Sequence, residues 1–155
     1  MSMSELLEEV SRLHFSNPPA SQQEIEQFEQ RVGWRLAPDL RAFYMHCNGA
    51  DLFRRPNSPY RILPLSKITR ARVAILGEDT DEWGPATLYT LCDVQDGNYV
   101  LLDTGALHEG RYQLIDGNRE AFPDPDYCRP VADSFHEFLR GALQSGGHPL
   151  YWLGD

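Results

Sequence analysis

The stretch from Ser21 to Gly49, SQQEIEQFEQRVGWRLAPDLRAFYMHCNG, leaves a folding chain few choices. Ser21 and Glu24 have the spacing of a capping box, in which hydroxyl and carboxylate satisfy orphan amides at a helix start. Ile25, Phe28 and Val32 then share one helical face, with Glu24, Glu26, Gln27 and Gln30 left for water. Gly33 can adopt the left-handed conformation that ends a helix. Pro38 suits the first turn of a second helix, where its missing amide costs nothing. Leu40, Phe43, Tyr44 and Cys47 give that helix its own buried stripe, and Asn48-Gly49 closes it. Two helices in immediate succession, each apolar on one side, require a common surface to cover.

The remaining chain supplies that surface. Leu52 to Pro59 reads as a loop, and Tyr60 to Leu65 as a strand that Pro64 brings to an end. Ile68 to Leu76 reads as a helix, with a short strand as the alternative, and is followed by an acidic loop from Gly77 to Pro85. From Thr87 the apolar period changes to two. Leu88–Asp93 and Asn98–Asp103 flank Val94-Gln95-Asp96-Gly97, a hairpin signal. Arg111 to Ile115 is a further strand, and Pro123, Pro125 and Pro130 mark an extended linker. A last helix starts near Asp133 or Ser134, where Ser134 and Glu137 repeat the capping-box spacing. It buries Phe135, Phe138, Leu139, Ala142 and Leu143 before Gly146-Gly147. The tail HPLYWLGD is apolar enough to dock as a strand or cover the core edge. An additional helix is expected from Ser4 to Phe15, with Leu6, Leu7, Val10 and Leu13 on one face. The expectation is an α+β fold: N-terminal helices, a central antiparallel-rich mixed sheet and a C-terminal helix. At 155 residues this is one domain, 1–155.

Charge and composition narrow the function. With 14 basic and 23 acidic residues, the net charge of −9 disfavours phosphate backbones and anionic lipid. It favours a basic protein partner, or, as is commoner, serves only to keep the protein in solution. No apolar run reaches membrane length, and MSMSELLEEV lacks the basic and apolar regions of a signal peptide. Three scattered cysteines, Cys47, Cys92 and Cys128, make no disulfide framework, so a reducing, cytoplasmic setting is expected.

Motifs for chemistry are missing. Five dispersed histidines have no zinc spacing, and no Gly-x-Ser-x-Gly, Walker or dinucleotide glycine pattern occurs. No catalytic residue, metal or cofactor is therefore assigned. The one segment set apart by its charge is the loop holding Glu78, Asp79, Asp81, Glu82 and Trp83. Four carboxylates in five positions repel one another unless solvated or neutralised by a cation, and an adjacent Trp can anchor a protein interface. The plainer reading is a solvated loop with Trp83 turned into the core. Arg54 and Arg55 either bond an acidic neighbour or sit in water.

The ordered signature of capped helix, Leu36-x-Pro38-Asp39-Leu40-Arg41-x-Phe43 and Asn48-Gly49 resembles the start of the SUKH superfamily, the Smi/Knr-like domain. It departs in having Ala37 between Leu36 and Pro38, where many members have the two adjacent. VADSFHEFLRGAL, from Val131 to Leu143, resembles the family's closing helix. The likeness spans roughly residues 20–145 and leaves the first helix outside it, so that helix is expected to pack loosely. It implies an α+β domain that is not an enzyme: a bacterial immunity protein that neutralises a toxin, often a basic nuclease, by occlusion, or a regulatory scaffold that binds a peptide or protein. A small-molecule-binding domain or a hydrolase with an unrecognised carboxylate site is a weaker rival. Partner identity and oligomeric state are not written in the sequence.

Overall fold

Helix starts follow the capping chemistry closely. In the computed structural model, which describes residues 2–94, 98–120, 122–124 and 127–147, α1 runs from Met3 to Leu13 and α2 from Gln22 to Val32. Each opens on a complete capping box, Ser2 with Glu5 and Ser21 with Glu24. Gly33 ends α2 at φ 82°, and Pro38 opens α3, Pro38–His46. The short link between α2 and α3 is held by Glu29, whose Oε2 accepts from the Leu36 amide at 2.8 Å.

The strands are β1 Phe15–Ser16, β2 Ala50–Leu52, β3 Tyr60–Ile62, β4 Leu88–Asp93, β5 Tyr99–His108, β6 Arg111–Gly117 and β7 Pro130–Ala132. They lie side by side in chain order in one seven-stranded sheet, and each described pairing is antiparallel. Helix α4, Ala71–Leu76, precedes β4, and α5, Phe135–Gln144, closes the described fold. The expected α+β arrangement is the one the chain adopts.

The sheet separates two cores. Val100, Leu102, Tyr112 and Leu114 face α1, α2, α3 and α5. Leu88, Leu101 and Ile115 face the other way, onto Ala71 and Phe122. β4 is buried on both faces, because it lies in the middle of the sheet with a core on either side. The main core contains Phe43, Tyr44, Tyr60, Phe135 and Phe138, all fully buried. Each such side chain contributes about 1.5–3 kcal/mol by leaving water.

Several expectations need correction. Helix α1 does not pack loosely: Leu6, Leu7 and Val10 all belong to the main core. The first segment of chain is fixed further by β1, which pairs with β2, so the loop expected at Leu52 starts later. The proline-marked linker is not simply extended. Phe122 is buried, and Pro130–Ala132 forms β7 against β6. The predicted helix over 68–76 is shorter, because residues 68–70 run extended along β4, with the Thr90 amide donating to the Thr69 carbonyl, before α4 begins at Ala71. The capping box at α5 is half made: Ser134 accepts from the Glu137 amide, while Glu137 turns to the amide of Asp133. The Asp96-Gly97 turn and the apolar tail from His148 lie outside the described residues.

One strained residue carries a pH prediction. Phe53 has φ 74°, rarely tolerated by a bulky side chain. Its amide donates to His14 Nδ1 at 2.8 Å, and the two rings meet edge to face at 4.7 Å. The His14 side chain is 6% exposed, with Nε2 lying 4.0 Å from the Glu9 carboxylate. Burial lowers its pKa from the ordinary value near 6.5, and Glu9 opposes this. A base with a depressed folded pKa takes its proton preferentially in the unfolded chain. Stability is therefore intact above about pH 6.5 and falls as pH drops from there through the folded pKa, by at most about 1.4 kcal/mol per pH unit. Urea titrations from pH 7 to 5 should show a steeper loss for the wild type than for His14→Gln. Parallel losses in the two proteins would remove His14 from the explanation.

Candidate functional site

The acidic loop is built on a buried guanidinium. Gly77, at φ 84°, ends α4 and reverses the chain, so the residues after it run back along the helix. Asp79 and Asp81 thereby reach Arg72, whose side chain is 6% exposed. Arg72 donates from Nε to Asp79 Oδ1 at 2.8 Å, and from Nη1 to Asp81 Oδ1 at 2.7 Å and the Gly84 carbonyl at 3.1 Å. Arg70 adds a two-pronged contact from Nη1 to Asp79, at 2.9 and 3.2 Å. The hydrogen bond from Arg72, opposed by partial desolvation and assisted by Arg70, holds the Asp79 carboxyl below its usual range.

The same loop is seated at its far end. A Cβ on Gly84 would lie 2.9 Å from Pro123 Cβ and 3.1 Å from Phe122 Cζ, so only glycine permits this approach. Between the two anchors Asp81–Trp83 forms a 3₁₀ turn. The Trp83 indole Nε1 donates to Glu78 Oε2 at 2.8 Å. With 40% of its surface exposed, Trp83 is neither turned into the core nor loose in solvent. Glu78, Asp79, Asp81, Glu82 and Trp83 are thus brought into one ordered turn. Two of its four carboxylates, Asp79 and Asp81, are matched by the protein's own arginines. Glu82 is exposed, and the Glu78 carboxylate bears the indole.

Arg70 and Arg72 were missed from sequence as members of this site. The signal was available: four carboxylates need cations, and two arginines stand at the start of α4, seven and nine residues before Asp79. Arg55, left open above, bonds Asp51 Oδ2 at 2.9 Å and the Phe15 carbonyl at 3.2 Å, while Arg54 donates to the Asn57 carbonyl.

Other chemistry finds no support in the geometry. Cys47 and Cys92 are buried, and burial pushes the Cys47 thiol up to about 12 and raises that of Cys92 as well. Cys128 is half-buried and raised to about 11. At neutral pH all three are thiols and poor nucleophiles. Among the described residues no three His, Cys, Asp or Glu side chains gather as a metal site. No helix among them is long and apolar enough to cross a membrane.

Helices around an antiparallel meander, with the Leu36–Gly49 signature holding the second and third helices together, define the class. The chain belongs to the SMI1 / KNR4 family (SUKH-1), whose sequence profile matches residues 19–141. It is also similar to the immunity protein YokJ of Bacillus subtilis (strain 168), with 26% identity over 121 residues that cover 78% of this chain and 72% of that protein.

Proposed function

We propose that this chain is an immunity protein: a non-enzymatic, cytoplasmic protein that neutralises a basic toxin domain by covering its substrate groove. The similarity to a protein described as an immunity protein carries this reading. Membership of the SMI1 / KNR4 family and the net charge of −9 support it. Glu78, Asp79, Asp81, Glu82 and Trp83 are the contact surface in this proposal, with the Trp83 ring as apolar anchor and the uncompensated carboxylates as the steering charge. The arginine staple fixes the loop before any partner arrives, which lowers the ordering cost of binding.

Charge steering makes a measurable demand. Against a basic toxin domain that it neutralises, the association rate should fall by roughly tenfold or more between ~50 and ~500 mM salt, because the Debye length shrinks below the span of the interface. Joint substitution Glu78→Gln, Asp79→Asn, Asp81→Asn and Glu82→Gln should abolish capture and leave any turnover by the protein untouched. A rate insensitive to salt removes the electrostatic part of the proposal. Capture by the fourfold variant at wild-type affinity moves the contact surface elsewhere.

A further inference from the structure

The sheet has an open notch that the acidic loop does not share. β7 pairs with β6 only at Leu114↔Ala132 and Ile115↔Pro130, then the chain leaves the sheet at Asp133 and enters α5. The edge of β6 from Arg111 to Gln113 therefore has no strand beside it among the described residues. Alternation fixes which groups it presents. His108 and Arg111 close the two-residue turn Glu109-Gly110, both of whose residues have positive φ, so they form the hydrogen-bonded pair of a type I′ hairpin. Leu107↔Tyr112 is then a non-bonded pair, and the N–H and C=O of Tyr112 point away from β5. The Asp116 amide, of the same parity, does point that way and donates to the Arg129 carbonyl at 2.8 Å.

Beside this edge lies a groove of about 550 Å³. Its lining comes from both faces of the hairpin and from the start of α5, as expected of a cavity that wraps a strand edge. A register shift between Asp103 and Leu107 inserts residues 104–106 into β5, and beyond it Leu107 stands 58% exposed at the groove. The charged lining is Glu109, Asp133 and Glu137 against Arg111, with His108 beside them. The three carboxylates against the one guanidinium leave a net charge of −2.

We propose that this notch binds an extended, basic peptide segment of a protein partner by strand addition to β6, in line with β7. The Tyr112 N–H and C=O that point away from β5 suit a peptide backbone, Leu107 takes an apolar residue, and the acidic lining selects Lys or Arg beside it. Many sheet edges are merely solvated, and the test separates the two cases. In the free protein the Tyr112 amide should exchange with deuterium faster than the Asp116 amide. Random linear peptides displayed on phage, selected against the full chain, should yield sequences rich in Lys and Arg with one apolar residue. Such a synthetic peptide should slow exchange at Tyr112, and Leu107→Lys, a change at an exposed position, should weaken it roughly tenfold. Recovery of no peptides, or of peptides that leave Tyr112 exchange unchanged and bind Leu107→Lys normally, would overturn the proposal. Neither result depends on toxin neutralisation, so this inference and the proposed function stand or fall separately.

Discussion

Gly49→Ala should be the most damaging single methyl in the protein, costing about 4 kcal/mol or more, or roughly a thousandfold in the folding equilibrium. Two terms add. Gly49 sits at φ 91°, where an L side chain costs about 1–2 kcal/mol. A Cβ there would also lie 2.7 Å from the Ile62 carbonyl oxygen, 2.8 Å from Pro64 N and 3.1 Å from the Leu63 carbonyl carbon. These are backbone atoms at the end of β3 and cannot rotate aside. The crowding exists because Asn48-Gly49 is a crossing point as well as a helix stop. The Asn48 amide donates to the Pro18 carbonyl, its Oδ1 accepts from the Leu65 amide at 2.9 Å, and the Asn17 amide donates to the Gly49 carbonyl. Gly33 is the internal control. It has a similar φ of 82° but nothing within 4 Å of its missing Cβ, so Gly33→Ala should cost only about 1–2 kcal/mol. Urea midpoints with unchanged slopes measure both. Equal losses at the two glycines would show that close approach at Gly49 contributes nothing. Against a typical stability of about 5–15 kcal/mol, the expected loss leaves a marginal protein.

Asp39→Ala should be the second largest, about 3 kcal/mol. Asp39 belongs to the first family block and is 4% exposed. Its Oδ1 accepts from the Leu40 amide in the first turn of α3, and its Oδ2 accepts from the His136 amide in the first turn of α5, at 3.1 Å. One carboxylate thus lies at the positive ends of two helices whose sequences are nearly a hundred residues apart. Removing it leaves two helix-start amides, one buried and one half-buried, without this acceptor. Asp39→Asn keeps one acceptor oxygen and should lose about 1 kcal/mol. Native-state exchange at the His136 amide should accelerate in Asp39→Ala more than at amides in the middle of α5. A variant as stable as the wild type, with His136 exchange unaltered, would show that the two blocks are not joined through this side chain.

How much could be read in advance depended on the range of the physics involved. The capped starts at Ser21 and Ser134, the left-handed stop at Gly33, Pro38 at a helix start and the strands on either side of Asp96-Gly97 are contacts within a few residues. They were legible. The box at Ser2 and Glu5 has the same spacing and starts the first helix one residue earlier than its apolar face alone indicates. β1, β2 and β7 were not legible. They are two or three residues long, too short to show a period, and are strands only because a neighbour offers a ladder. The extension of β5 to His108 was hidden by the inserted residues 104–106, which break the alternation.

The candidate loop divides in the same way. Its composition and its Trp were plain, and local charge repulsion called for a neutralising cation. Which cation answered was a tertiary decision: α4 had to be short and Gly77 had to reverse the chain before Arg72 could meet Asp79 and Asp81. By itself, the order of residues determined where helices begin and end, which faces are apolar, the acidic character and the family signature, since each depends on neighbours in sequence. Only the folded chain decided that Asp39 reaches α5, that Asn48-Gly49 crosses β3, and that β6 keeps an open edge. Those contacts join residues tens of positions apart, or depend on where a distant strand ends, and no local pattern encodes them.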